Sequence, residues 1–432
     1  MISDTKIERF ENEGEYTAVL KERAQLPEGF SAGSVSLSFQ PSEMETPVPR
    51  TMNLSAIILD KPTELFAGTL TKNFFAGAPV LIARRRLSGQ ALRGVLINNS
   101  IANVCTHTGV DDAEELLSAL ATQTGGSGDE YLAASTGVIG WRLPVPEMKS
   151  AIPLLSKTIS KETILDVARG IMTTDRFPKV RAAKTGSATI VGTAKGAGMI
   201  EPDMATLLVF ILTDAVIDKD KLREIHREAI EESFNRISVD SDQSTSDMAL
   251  VFSSGTNRIA GEDDFKDALI SVYRDLAEDV VRNGEGTRHV IRTVVSGAKN
   301  VSTAKAIGKA IINSPLVKTA AFGNDPNVGR IIMAVGDFLG SAGMTVDPEA
   351  ITISIGGLTV FEKGSFSLDA GKEERIFSHM KEAQLDPEEC TFPPHNRRIE
   401  IELNLGSGSA EAAVLGSDLS YGYVRENADY RT

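Results

Sequence analysis

The chain reads as an α/β protein with mixed β-sheets, and three patterns in its 432 residues carry that reading. Residues 218–237 and 263–281 set apolar side chains at helical spacing, whereas 289–295 and 398–405 alternate apolar with polar. Short unbroken apolar runs, such as Val95-Leu96-Ile97, sit between turn residues. A stripe at period 3.6 is a helix lying on a layer. A period of 2 is a strand with one covered face, and a short continuous run is a strand covered on both. Helices interleaved with both kinds of strand imply sheets that are mixed rather than purely parallel.

In chain order, residues 1–50 are polar and punctuated by Pro27, Pro41, Pro47 and Pro49, as expected of a segment that wraps a domain edge. Ala56-Ile57-Ile58-Leu59, Pro79-Val80-Leu81-Ile82-Ala83 and Val95-Leu96-Ile97 are expected to be buried strands. Residues 111–120 open with Asp111 and Asp112, acidic residues that suit the first turn of a helix. Gly125-Gly126-Ser127-Gly128 is a loop, and two helices follow between about 146 and 172. After a strand at 206–213, the 218–237 helix turns Leu222, Ile225, Ala229, Ile230, Phe234 and Ile237 inward; His226, among charged neighbours, reads as a surface residue. In the alternating segment 398–405, Ile399, Ile401, Leu403 and Leu405 share a face.

The length suggests roughly two to three domains, and 41% apolar with 24% charged residues is ample for a core. A net charge of −14 with no basic run argues against binding nucleic-acid phosphates. The acidic N-terminal segment has no apolar signal core, and no window approaches the roughly 18 apolar residues of a membrane span. Two cysteines, Cys105 and Cys390, are too few for a disulfide framework, which suits a cytoplasmic protein. The five histidines lie too far apart for ligand spacing, so no metal is expected.

One segment carries chemistry. Lys195-Gly196-Ala197-Gly198-Met199-Ile200-Glu201-Pro202-Asp203-Met204 runs through Ala205-Thr206 into the apolar Leu207-Leu208-Val209-Phe210-Ile211. On its own this is a glycine-rich turn entering a buried strand. It also suits a threonine that cuts the bond before itself, because an N-terminal threonine holds nucleophile and base on one residue. Its α-amine, with a pKa of about 7.7–8.0, accepts a proton near neutrality where a lysine at about 10.4 does not.

Further segments give that reading company. They are Asn98-Asn99-Ser100-Ile101-Ala102-Asn103-Val104-Cys105-Thr106, Ser135-Thr136-Gly137-Val138-Ile139-Gly140 and Ile171-Met172-Thr173-Thr174-Asp175 with Phe177-Pro178-Lys179. Downstream come Val239-Asp240-Ser241-Asp242-Gln243-Ser244-Thr245, Gly284-Glu285-Gly286, Gly323-Asn324-Asp325-Pro326-Asn327 with Gly329-Arg330, and the terminal Asn427-Ala428-Asp429-Tyr430-Arg431-Thr432. In this order, over nearly the full length, they resemble the bifunctional ornithine acetyltransferase (glutamate N-acetyltransferase) family of arginine biosynthesis. The chain departs from the family pattern at Cys105-Thr106-His107-Thr108-Gly109, two residues longer than the usual Cys-Thr-Gly. Gly286-Thr287-Arg288-His289 replaces a usual Gly-Ala-Thr-Lys, and Val328 stands where Trp is common.

The resemblance implies stacked mixed sheets flanked by helices, the α-β-β-α arrangement of N-terminal-nucleophile proteins, with a C-terminal α/β portion. It implies self-cleavage between Ala205 and Thr206 into an α fragment, 1–205, and a β fragment, 206–432, associating as a heterotetramer of two of each. Thr206 would take acetyl from N-acetylornithine and pass it to glutamate, without a cofactor; some members also use acetyl-CoA. Thr136 and Gly137 match the oxyanion-hole pair, and Thr173, Lys195, Thr206, Glu285, Asn427 and Thr432 the substrate contacts. Asp325 and Arg330 are read as holding a loop. Taken singly, Thr136 is a strand-end residue, Lys195 a loop lysine and Glu285 a turn acid. The alternative readings are an N-terminal-nucleophile amidase or aminopeptidase, in which water resolves the acyl-enzyme, and a paralogous acetyltransferase of specialised metabolism.

Overall fold

A computed structural model of the chain describes residues 8–44, 48–89, 91–201, 207–386 and 390–428. Two units emerge: a larger one of residues 17–235 and 242–280, and a smaller one of 1–16, 236–241 and 281–432. In chain order the elements begin with α1 (Glu13–Arg23), β1 (Phe30–Phe39), β2 (Arg50–Thr63), β3 (Phe66–Leu70), α2 (Ala78–Arg86), β4 (Leu92–Asn98), α3 (Gly109–Thr124), β5 (Tyr131–Ser135), α4 (Val145–Thr158) and α5 (Leu165–Gly170). Then come β6 (Lys179–Thr185), β7 (Ala188–Lys195), β8 (Leu208–Ala215), α6 (Lys219–Glu232), β9 (Ile237–Ser238), β10 (Met248–Asn257), α7 (Glu262–Arg282) and β11 (Val290–Ala298). The remainder is α8 (Val301–Asn313), α9 (Pro315–Phe322), α10 (Val328–Ser341), β12 (Thr352–Ile355), β13 (Leu358–Glu362), β14 (Ser365–Phe366), α11 (Ala370–Ala383), β15 (Ile399–Asn404), β16 (Ala410–Ser417) and α12 (Tyr421–Ala428).

The larger unit stacks two mixed sheets between helices. One sheet is ordered β1-β2-β4-β5 and the other β3-β10-β8-β7-β6. Along β2, Met52, Leu54, Ala56 and Ile58 join a core with Leu116, Leu117 and Leu120 of α3 and Met148, Ile152 and Leu155 of α4. The intervening Ser55, Ile57 and Leu59 are also buried, so both faces of this sheet are covered. In the second sheet all eight residues of β8 are buried. At Gly192 of β7 the space beside the backbone is filled by Ile211 of β8 and by Val272 and Leu276 of α7. Parallel neighbours need a crossover; α3 supplies it from β4 to β5, and α6 lies between the parallel β8 and β10.

In the smaller unit one sheet runs β14-β13-β12-β15-β11-β16-β9. Alternation decides its faces: Ile399, Ile401 and Leu403 of β15 enter a core with Ile307 and Ile311 of α8, Ile331 and Val335 of α10, and Ile376 and Met380 of α11.

Two expectations change. Residues 79–83 form part of α2, not a strand: Gly77 is the cap, Pro79 sits in the first turn and Arg84, Arg85 and Arg86 fill the last. Proline suits a helix start and arginines its C-terminal end, and a five-residue apolar run carries no period to oppose them. Within residues 1–50, β1 forms an edge strand of the first sheet, paired with β2 over ten residues.

His226 is not on the surface. It is 1% exposed, its Nε2 lies 2.6 Å from Thr69 Oγ1 and its Nδ1 2.6 Å from Tyr273 Oη. Four residues after Leu222, it belongs to the buried stripe of α6. Burial, with a smaller push from Arg227, lowers its pKa to about 3, so the folded protein keeps it neutral. Between that value and the unfolded pKa of 6.5, the unfolded chain binds the extra proton, so stability falls on acidification by up to about 1.4 kcal/mol per pH unit. His226→Asn should therefore be less stable at pH 7 yet decline less steeply from pH 6.5 to 4 in thermal melts; an unchanged slope would remove His226 as the cause.

Candidate active site

In the larger unit a loop with a strained backbone follows β4. Ser100, Asn103 and Cys105 all have φ between 54° and 69°, a region that non-glycine residues rarely adopt. Such strain costs on the order of 1–3 kcal/mol per residue and persists only where surroundings over-determine it. Here two buried asparagines do so. Asn98 Nδ2 donates to the carbonyls of Asn99 and Ile101 at 3.1 and 2.8 Å, while its Oδ1 accepts from Ser135 Oγ at 2.7 Å. Asn99 Oδ1 accepts the Asn53 N–H at 2.7 Å, and its Nδ2 donates to the Met172 carbonyl at 2.8 Å.

Thr136 and Gly137 wrap this loop where β5 ends. The Thr136 N–H donates to the Asn98 carbonyl at 3.1 Å and Val138 N–H to the Ser100 carbonyl at 3.0 Å. Gly137 has φ +127°, and a Cβ there would fall 2.1 Å from the Ser100 carbonyl carbon, so only glycine fits. Among the described residues nothing accepts the Gly137 N–H.

Thr173 lies one residue beyond the carbonyl that Asn99 holds. Its N–H donates to Asp175 Oδ2 at 3.1 Å. Asp175 is buried; its Oδ1 accepts the Gly196 N–H at 2.9 Å and pairs with Lys179 Nζ at 2.5 Å. Burial alone would push the Asp175 carboxyl up, but the charges of Lys179 and Lys195 and the Gly196 N–H outweigh it and bring the pKa down to about 2. Burial pulls the Lys179 pKa below the ordinary lysine value, with Asp175 opposing. Lys195 is buried at the end of β7 and stands opposite Leu208 in the antiparallel β7–β8 ladder. A hydrogen-bonded path thus runs from Thr136 through Asn98-Asn99, Met172-Thr173 and Asp175 to Lys195-Gly196.

The smaller unit brings together residues 142 positions apart: Asn427 Nδ2 donates to Glu285 Oε2 at 2.8 Å. Glu285 is buried, whereas Asn427 lies exposed near the end of α12. Gly286 has φ +65°, and a Cβ would meet Tyr423 N at 2.1 Å, so this turn needs glycine to admit the start of α12. Ser420 Oγ donates to the Gly286 carbonyl at 2.6 Å and accepts the Tyr423 N–H at 3.2 Å.

The sequence pattern of the ArgJ family matches residues 43–432. The chain belongs to the ArgJ family. Relatives include the arginine biosynthesis bifunctional protein ArgJ 2 of Nostoc sp., 37% identical over 366 residues that cover 84% of this chain and 90% of that protein. The arginine biosynthesis bifunctional protein ArgJ of Rhodococcoides fascians is 36% identical over 414 residues, 95% of each chain. A crystal structure of the arginine biosynthesis bifunctional protein of Bacillus halodurans is 36% identical; the match covers 51% of this chain and 97% of that one, with a TM-score of 0.44. As an ArgJ member the chain is an enzyme, an acyltransferase.

Of the residues singled out in the sequence, Thr136, Gly137, Thr173 and Lys195 lie along the one path in the larger unit, and Glu285 touches Asn427 in the smaller. Ala205, Thr206 and Thr432 fall outside the described residues. Arg330 of α10 donates to the Leu316 carbonyl of α9 at 2.7 Å, across the loop between the two helices, and within that loop Asp325 accepts from Asn327 at 3.2 Å. Among the described residues no helix is long and apolar enough to cross a membrane, and no group of His, Cys, Asp or Glu could hold a metal ion. The residue that sequence reasoning left without a role is Asp175. Its spacing of four from Lys179 was the available signal, with Pro178 disfavouring a helix interior between them; the stretch forms no helix, so this is not a routine helical ion pair.

Removing one partner of a buried ion pair costs about 3–5 kcal/mol, because the other charge stays buried. Asp175→Asn should lower stability by about that much, read in urea through the single tryptophan, Trp141, which lies in the larger unit. Adding Lys179→Met should return a large part of the loss. A fully stable Asp175→Asn protein would take the bracing role away from this pair.

Proposed function

We propose that the protein is an N-acetyl-L-ornithine:L-glutamate acetyltransferase that works through an acetyl-threonine after cutting itself between Ala205 and Thr206. The observation that carries this reading is the hydrogen-bonded path from Thr136 to Lys195, together with the β7–β8 ladder in which Lys195 stands opposite Leu208, two residues after Thr206. Family membership supports the same chemistry.

In this reading Thr206 Oγ attacks the acetyl carbonyl carbon while the free Thr206 α-amine takes the hydroxyl proton. The Thr136 hydroxyl and Gly137 N–H stabilise the oxygen that gains charge; the tetrahedral intermediate collapses, the C–N bond breaks, and the proton leaves with ornithine as the free amine. The neutral amine of glutamate then attacks the ester carbonyl carbon, the acyl C–O bond breaks, the amine proton passes through the Thr206 α-amine to the threonine oxygen, and N-acetylglutamate leaves with Thr206 regenerated. Lys195 holds a substrate carboxylate, Thr173 lines the substrate's position, and Glu285, oriented by Asn427, receives a substrate ammonium. Thr432 is a further substrate contact in this reading. The enzyme is cytoplasmic, assembles as two α and two β fragments, and acetyl-CoA is a possible second donor.

Intact-mass measurement after incubation with N-acetylornithine is expected to give two fragments in place of the 46.3 kDa chain, the second beginning at Thr206 and carrying one acetyl group. Thr206→Ala should stay whole and inactive. Thr136→Val should lose about 10²–10³-fold in kcat with KM little changed. Acetate released at one rate with and without glutamate would replace transfer by the hydrolase reading.

A further inference from the structure

The smaller unit holds a buried ionisable cluster that this chemistry does not use. His289 precedes β11, with Nδ1 2.8 Å from Asp418 Oδ2 and Nε2 3.1 Å from Asn324 Oδ1, and the His289 and Asp418 side chains are fully buried. A neutral imidazole carries one N–H and offers one bare nitrogen, so the directions of the surrounding hydrogen bonds decide what His289 carries.

Those directions can be traced from the far end of the network. Burial pushes the Asp386 carboxyl up, but the Gln384 hydrogen bond and Arg288 outweigh it and hold it below the ordinary carboxylate range. An ionised carboxylate only accepts. Gln384 Nε2 therefore donates to both Asp386 oxygens, at 3.0 and 2.9 Å. Gln384 Oε1 then accepts from Lys381 Nζ at 2.8 Å, an ammonium that only donates, and from Asn324 Nδ2 at 3.0 Å. Flipping the Gln384 amide would set its oxygen against a carboxylate and its NH₂ against an ammonium. With Asn324 Nδ2 committed to Gln384, the Asn324 oxygen faces His289 Nε2 and can only accept. Asp418 faces the other ring nitrogen and already accepts the Arg288 N–H on Oδ1 at 2.9 Å. Both ring nitrogens of His289 meet acceptors.

We infer that His289 is a buried imidazolium paired with Asp418, and that this pair is the positioning device for the turn that carries Glu285. The pair closes on the backbone from both sides: Arg288 N–H donates to the Asp418 side chain, and Asp418 N–H donates to the His289 carbonyl at 3.1 Å. Two residues on, Ser420 holds the Gly286 carbonyl. The 284–289 turn is thereby tied at its middle and its end to residues 418–420. Asn427 reaches Glu285 from α12, which the same Ser420 caps. The functional part of this inference rests on the proposal that Glu285 receives a substrate ammonium; the protonation of His289 does not.

Two readouts separate those levels. In full-length protein labelled with ¹⁵N-histidine, long-range ¹H–¹⁵N correlation at neutral pH should show one ring with hydrogens on both nitrogens, missing from His289→Gln. A bare ring nitrogen on His289, as in a neutral His paired with a protonated Asp418, would overturn the inference. In kinetics, His289→Gln should raise KM for N-acetylornithine by about tenfold or more, leave kcat within a few-fold and leave chain scission intact. His289→Lys, which restores a cation, should recover most of the KM. An unchanged KM would end the positioning role. A parent enzyme with no turnover would defeat the proposed function while the spectrum still decides the state of His289.

Discussion

A carboxylate with no access to water organises the larger unit. Asp175 takes the backbone N–H groups of Thr173 and Gly196 and the ammonium of Lys179 on its two oxygens. Those partners come from the turn after α5 and from the open end of the β6–β7 hairpin, where the start of β6 lies beside the end of β7. A buried charge is tolerable only with this degree of satisfaction. The arrangement therefore fixes one geometry between that turn and the hairpin end rather than adding much net stability. The Asn98-Asn99 pair extends the same logic to the left-handed loop after β4 that Thr136 and Gly137 wrap.

The smaller unit solves the matching problem with different parts. Glu285 sits on a glycine turn that admits α12 within backbone contact, and hydrogen bonds from Ser420 and Asn427 hold the two together. Residues that are distant along the chain meet because β11 and β16 are antiparallel neighbours, which brings the segment before β11 beside the segment after β16. In the larger unit Asn98, Thr136 and Lys195 stand at strand ends, where a ladder stops and the backbone can turn.

Much of the architecture was legible because periodicity survives folding. The stripe of α6, the long α7 and the alternation of β15 all occur where the pattern put them. Residues 79–83 went astray because five apolar residues carry no period; the informative letters were Pro79 at one end and three arginines at the other. His226 was masked by charged neighbours, although its spacing from Leu222 and Ile230 put it on the buried face. Motif resemblance singled out Thr136, Gly137, Thr173, Lys195, Glu285 and Asn427 without explaining what holds them in place. Asp418 was beyond reach for a physical reason: its partners Arg288 and His289 lie 130 and 129 positions away, and only the folded sheet order brings them close; of the Asp175 partners only Gly196, 21 positions on, is distant in this way.

The second sheet of the larger unit has one more consequence. Its order, β3-β10-β8-β7-β6, sandwiches the two strands that follow residue 206 between strands that precede it. Polypeptides made separately would each lack neighbours: β8 and β10 alone form a parallel pair with both outer edges raw, and β3 is parted from β6 and β7. Unpaired edges of buried, apolar strands invite aggregation. A gene split at this point would have to deliver both halves at once, whereas a nick made after folding leaves every rung of the sheet in place.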